Sequence, residues 1–103
     1  MEQKLIFLDI DGTLTVPGTL VPPESAQRAV REARARGHKA FICTGRNYAM
    51  MEPMMAYGFD GAIASAGGYV VYDGQVLYDH PMSHALRDRV TDTLNRAGLF
   101  WVL

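Results

Sequence analysis

The chain has 103 residues, with 10 Lys and Arg against 11 Asp and Glu and a formal net charge of -1. That length holds one domain at most, and the near-neutral balance excludes the large positive excess of a nucleic-acid binder. Hydrophobic residues make up 49% and charged residues 20%, an ordinary globular composition that argues against disorder, and no apolar run approaches the roughly 20 residues of a membrane span. The lone Cys43 cannot form an internal disulfide, so a cytoplasmic location is the expectation. The apolar stretch after Lys4 is too short, and ends too acidic, for a signal peptide.

In chain order, Leu5-Ile6-Phe7-Leu8 is a continuous apolar run, expected as a strand buried on both faces of a parallel sheet. Residues 15–22 are turn-rich. Pro22-Pro23-Glu24 opens a helix, with proline in the first turn and an acid near the positive dipole end. Ala26, Ala29, Val30 and Ala33 recur at helical spacing, and Gly37 stops the helix. Ala40-Phe41-Ile42-Cys43 is a second strand. From Asn47 to about Tyr57 a helical stretch is interrupted by Pro53, which predicts a kink or two short helices. Gly61 to Ser65 is a weak third strand. Strand, helix, strand, helix, strand is the pattern of right-handed βαβ units in an open parallel sheet.

The pattern then changes. Tyr69–Tyr72 and Gln75–Tyr78, joined by Asp73-Gly74, predict a hairpin. Ser83 caps a helix with Leu86, Val90, Leu94 and Ala97 on one stripe, and Gly98 ends it. Leu99-Phe100-Trp101-Val102-Leu103 has the composition of a strand interrupted at its start. Cys43 is expected as a small buried hydrophobe and Met50, Met51, Met54 and Met55 as core or contact residues. His38, His80 and His84 lack metal-ligand spacing and are expected at the surface.

Chemistry concentrates in Asp9-Ile10-Asp11-Gly12-Thr13-Leu14, at the carboxyl end of the first strand, where open α/β sheets bind ligands. Two carboxylates two residues apart can share a cation, or divide nucleophilic attack and proton transfer between them. Spacing alone also fits two exposed loop acids. Thr44-Gly45-Arg46 holds the equivalent position after the second strand. A hydroxyl, a glycine N–H at a helix start and a guanidinium make an anion-binding set. Alone the triplet is an ordinary helix beginning; beside the aspartates it points to a site.

Phe7-Leu8-Asp9-Ile10-Asp11-Gly12-Thr13-Leu14 together with Ile42-Cys43-Thr44-Gly45-Arg46 resembles the haloacid dehalogenase-like hydrolases. The segments 63–70, 72–74 and 77–83 resemble their Cof-type phosphatase branch, so the likeness covers the whole chain. It implies an α/β fold: a Rossmann-like parallel sheet of a haloacid dehalogenase-like core, incomplete, followed by the first elements of an α/β cap. Residues 1–80 would be the N-terminal part of the core, with a hairpin near 69–78 leading to the cap, and 81–103 the start of a truncated cap. The resemblance implies Asp9 as the nucleophile that forms an aspartyl-phosphate and Asp11 as general acid and base. The Asp9 carboxylate and the Asp11 main-chain carbonyl would ligate Mg²⁺. Thr44 and the N–H groups of Ile10, Asp11 and Gly45 would hold phosphoryl oxygens, and Arg46 would face the substrate or the cap. The expected substrate is a small phosphorylated metabolite such as a sugar phosphate.

The family's later lysine and second acidic pair have no counterpart here. Lys4 and Lys39 precede strands and should lie at the opposite edge of the sheet, about 15–20 Å from the aspartates. Ala66 stands where relatives often have an Asn-Gly pair. The expectation is therefore a Mg²⁺-dependent phosphomonoester hydrolase of which this chain is a portion, inactive alone. Two alternatives stay open: a non-catalytic fragment or subunit that binds Mg²⁺ and phosphate, and a phosphotransferase or phosphomutase. Self-association, or contact with a missing remainder, is the expected partnership, with neither nucleic acid nor membrane.

Overall fold

A computed structural model describes residues 2–101. Strand β1 (Leu5–Leu8) leads through a turn-rich loop to helix α1 (Glu24–Ala35) and β2 (Lys39–Cys43). Helix α2 (Tyr48–Met51) passes into a 3-10 turn over Glu52–Tyr57, with Pro53 at its start. This is the predicted break: proline is accepted in a first turn but cannot continue the preceding one. Then come β3 (Gly61–Ala64), a 3-10 turn at Ser65–Gly67, β4 (Tyr69–Tyr72), β5 (Gln75–Asp79) and α3 (His84–Arg96).

The five strands form one sheet in the order β1-β2-β3-β4-β5. β1, β2 and β3 run parallel, whereas β4 and β5 are antiparallel to their neighbours. The sheet is therefore mixed, and the hairpin joins it beside β3 instead of standing apart. A three-residue turn after β3 is too short for a crossover, so the chain must reverse. Asp73 and Gly74 both have positive φ (50° and 75°), the geometry a two-residue hairpin turn demands.

Two successive right-handed crossovers in the same direction place both helical connections on one face. The core lies under them: Ile10, Val30, Ala40, Ile42, Met51, Met54, Phe59, Ala62, Ala64 and Val71. The opposite face is bare, which corrects the expectation for β1: Leu5 and Phe7 are 56% and 52% exposed. Cys43, in register with Ile63, is exposed for the same reason and is not a core residue. Met51 and Met54 are fully buried, while Met50 is largely exposed. Ala29 also faces solvent, leaving Val30 as the buried residue of α1.

An ion pair clips α1 to the sheet. Arg34 forks onto Asp60 through Nε and a terminal nitrogen, both at 3.0 Å, and Asp60 Oδ2 also accepts from the Ala40 N–H at 2.9 Å. His38, half-buried, accepts the Lys4 N–H on Nδ1. Ser83 caps α3 by accepting from the Leu86 N–H, as predicted, but the helix buries none of its residues. Leu99–Trp101 carry no regular structure. The rest of the expected terminal strand, Val102 and Leu103, lies outside the described residues. Among the described residues no helix is long and apolar enough to cross a membrane.

Candidate active site

Asp9 immediately follows β1 and Thr44 immediately follows β2. Because these strands are parallel neighbours, with Leu8 opposite Ile42, their two loops open at the same edge. Asp9, Asp11, Thr44, Gly45 and Arg46 line one cavity of about 550 Å³, with Asn47, Met50 and Ser65 completing its wall.

The first loop is wound around a buried anchor. Ile10 is fully buried, and its carbonyl accepts from the N–H groups of Thr13, Leu14 and Thr15 and from Thr15 Oγ1. Asp9 and Asp11, on either side of that anchor, are exposed. Alternation about one buried residue thus turns both acids outward, which answers whether they are merely neighbours in sequence: they face one cavity.

In the second loop Thr44 is buried, and its Oγ1 accepts from the Arg46 N–H at 3.0 Å. With a lone pair committed there, the hydroxyl hydrogen remains available as a donor. The turn after β3 straps this loop: Ser65 N–H donates to the Arg46 carbonyl at 2.8 Å and Ala66 N–H to the Thr44 carbonyl at 3.0 Å. Ser65 and Ala66 hold positive φ (51° and 54°) to do so, a backbone region that costs a residue bearing Cβ and clusters at functional sites. Among the described residues no group accepts from the Gly45 N–H. α2 is only four residues long, so any anion here meets individual N–H groups, not a helix dipole as the sequence suggests.

Arg46 lines the cavity and is paired within it. It forks onto Asp11, Nε to Oδ2 at 3.0 Å and a terminal nitrogen to Oδ1 at 2.8 Å. The planar guanidinium matches a carboxylate bidentately. Those hydrogen bonds hold the Asp11 carboxyl below its ordinary value, with slight burial acting the other way. Ile10 backs the loop from within, whereas Asn47, Met50 and Ser65 line the cavity without being named as site residues from the sequence. Ser65 follows the third parallel strand, so the rule that located Asp9 and Thr44 would have located it too.

The Asp9 carboxylate and the Asp11 main-chain carbonyl are hard oxygen donors. They suit a divalent cation that keeps several waters and shares its shell with a phosphate. No cluster of three His, Cys, Asp or Glu side chains among the described residues forms a metal cage, so the fit is to part of a shell. Lys39 opens β2, at the end of the sheet away from this cavity, as expected.

Comparison with known proteins adds to this geometry. YkrA of Bacillus subtilis is 37% identical over 83 residues, which are 80% of this chain and 32% of that protein. The pyridoxal phosphate phosphatase YbhA of Escherichia coli is 34% identical over 80 residues, 78% of this chain and 27% of that enzyme. A crystal structure of a protein from Geobacillus kaustophilus superposes with a TM-score of 0.80 at 34% identity, covering 94% of this chain and 38% of the other. The chain therefore spans about a third of the length of these relatives. The sequence model of the haloacid dehalogenase-like hydrolases matches residues 6–103. With the two aspartates and the Thr-Gly-Arg loop gathered at one sheet edge, the chain belongs to the haloacid dehalogenase-like hydrolases, in their Cof-type branch.

Proposed function

We propose that the chain carries the nucleophile and phosphate-holding part of a Mg²⁺-dependent phosphatase acting on small phosphorylated metabolites. The observation that carries this is the convergence of Asp9, Asp11, Thr44 and Gly45 on one cavity. Phosphoryl transfer asks mainly for in-line positioning and charge neutralisation. Asp9 attacks phosphorus, and the ester P–O bond breaks as the leaving oxygen takes a proton from Asp11. Water, giving its proton to Asp11, then attacks phosphorus and frees Asp9. The Thr44 hydroxyl and the N–H groups of Ile10, Asp11 and Gly45 hold the phosphoryl oxygens. Mg²⁺, held by the Asp9 carboxylate and the Asp11 carbonyl, supplies charge neutralisation when bound. Asp11 serves as an acid only after Arg46 lets go, so Arg46 moves to the substrate anion during the cycle.

On this reading residues 1–80 belong to the core and 81–103 to the cap, in a cytoplasmic enzyme whose neutralising lysine and second acidic pair lie outside these residues. Losing one such stabilising group costs on the order of 10²–10³ in rate, which places steady turnover by residues 1–103 near background. Self-association or the remainder of a longer chain would cover the bare sheet face. The Arg46–Asp11 fork favours a second reading, a non-catalytic fragment or subunit that binds Mg²⁺ and phosphate.

Acetyl phosphate with Mg²⁺, acid quench and peptide mass spectrometry test the nucleophile without requiring turnover. A phosphoryl adduct on Asp9, absent from Asp9→Asn, is the expected result. An adduct or p-nitrophenyl phosphate hydrolysis that survives Asp9→Asn overturns the mechanism.

A further inference from the structure

Ser65, Ala66 and Gly67 form a run of three residues with positive φ, at 51°, 54° and 104°. Glycine enters that region freely, whereas a residue bearing Cβ does so at a cost. The run follows β3 directly. All three residues are exposed, so burial of a side chain does not explain the conformation. Its main chain reaches the loop after β2. Ser65 N–H donates to the Arg46 carbonyl at 2.8 Å and Ala66 N–H to the Thr44 carbonyl at 3.0 Å. β3 holds the same loop at a third point, as the Thr44 N–H donates to the Ile63 carbonyl at 2.9 Å. The Arg46 N–H closes the set on Thr44 Oγ1 at 3.0 Å. The N–H and carbonyl of both Thr44 and Arg46 are thus engaged. Gly45 between them keeps its N–H without an acceptor among the described residues.

We propose that Ala66 is a positioning residue of the phosphate site: its left-handed main chain holds Thr44–Arg46 in the shape that an oxyanion needs. The inference rests on the phosphatase reading above, because it takes Thr44 and the Gly45 N–H to hold phosphoryl oxygens. A strained backbone persists only where its surroundings over-determine it. Here the two bonds to the neighbouring loop offset the strain. Without them the anion would have to order that loop itself, and the ordering would be subtracted from its affinity. Ala66 acts through its main chain alone. It does not line the cavity, whereas Ser65 does, and a methyl group offers an anion no hydrogen bond. The side chain at this position therefore matters only through the φ it permits. Glycine removes the strain and keeps the N–H, while a β-branched valine is an outlier at positive φ. The coupling runs both ways: an anion that binds the strapped loop better must in turn hold the strap closed.

The test is a ¹⁵N NMR titration of the full 103-residue chain with inorganic phosphate in the presence of Mg²⁺. It compares wild type, Ala66→Val, Ala66→Gly and Asp60→Asn. Wild type should shift the amides of Thr44–Arg46. Ala66→Val should weaken phosphate about tenfold, and Ala66→Gly should bind it at least as tightly as wild type. Asp60→Asn loosens the α1 clip at the other end of β3 and controls for lost stability, so it should leave phosphate affinity unchanged. Hydrogen exchange gives the reciprocal readout on wild type alone: saturating phosphate should slow exchange of the Ser65 and Ala66 amides. Equal affinity in wild type and Ala66→Val, a loss that Ala66→Gly shares or that Asp60→Asn matches, or exchange at Ser65 and Ala66 that ignores bound phosphate overturns the positioning role and leaves the phosphate site standing. No shift at Thr44–Arg46 in wild type overturns both.

Discussion

The two faces of the sheet are made from similar residues and end in opposite states. Toward the helices, Ile42, Ala62 and Ala64 are fully buried with Met51 and Met54 upon them. Toward the other side, Phe7 stacks on Phe41 at 5.2 Å and Phe41 meets Tyr72 at 5.9 Å. Lys39 Nζ sits 5.6 Å from the Tyr72 ring centre, and Leu5 and Leu77 lie open beside them. The register explains the row: Phe7, Phe41, Gly61 and Tyr72 are consecutive partners across four strands. The difference teaches that the hydrophobic content of a strand does not decide which face is buried. The handedness of the connections does, and the uncovered face falls back on contacts between its own side chains.

The largest expected contrast comes from truncating one residue on each face. Ile42→Ala removes a fully buried side chain and should cost about 2–5 kcal/mol. Leu5→Ala, at a site already half in water, should cost less than about 1 kcal/mol. Urea midpoints at constant slope measure both, and equal losses would show that the second face is covered in solution.

Gly61→Ala probes the row on the uncovered face. An added Cβ would run into the Val71 carbonyl oxygen and press on the Phe41 ring, a backbone collision that side-chain rotation cannot relieve. Destabilisation of about 1–3 kcal/mol is expected, with loss of the near-ultraviolet aromatic signal from the Phe41–Tyr72 contact. A neutral effect would mean that the row is looser than its ring distances show.

The smallest effect concerns the clip that holds the helical cover. Burial tends to raise the Asp60 carboxyl, but the Arg34 fork and the Ala40 N–H outweigh it, so its value falls below that of a free carboxylate. A lowered folded-state value gives stability that is present above the unfolded value near 3.9 and is lost as pH falls through the folded one. Wild-type stability should therefore drop as pH falls below about 4. Asp60→Asn should cost about 1–2 kcal/mol at neutral pH and flatten that acid slope. An unchanged slope would assign the acid transition to other carboxylates.

What the sequence disclosed follows from how local each cause is. Strands 5–8 and 61–64, the break at Pro53 and the turn at Asp73-Gly74 rest on neighbouring residues, and all are present. The two site loops were legible because strand ends announce them. The bare face was not, since Leu5-Ile6-Phe7-Leu8 reads the same whether one side or both will be covered. Nor was the Arg46–Asp11 fork, which joins residues 35 apart in sequence. Ser65 could have been placed by its strand end, but not its role: nothing local tells that a serine and an alanine will adopt positive φ to strap another loop.

That strap has a chemical outcome of its own. Around the cavity, the carbonyls of Ile10, Thr44 and Arg46 and the oxygen of Thr44 Oγ1 are all engaged as acceptors by protein N–H or O–H groups. Lone pairs are thereby engaged along both loops, while among the described residues no acceptor holds the Gly45 N–H or the Thr44 hydroxyl hydrogen. These hydrogens suit an oxyanion, while the Asp9 and Asp11 carboxylates on the same cavity repel it until a cation offsets their charge.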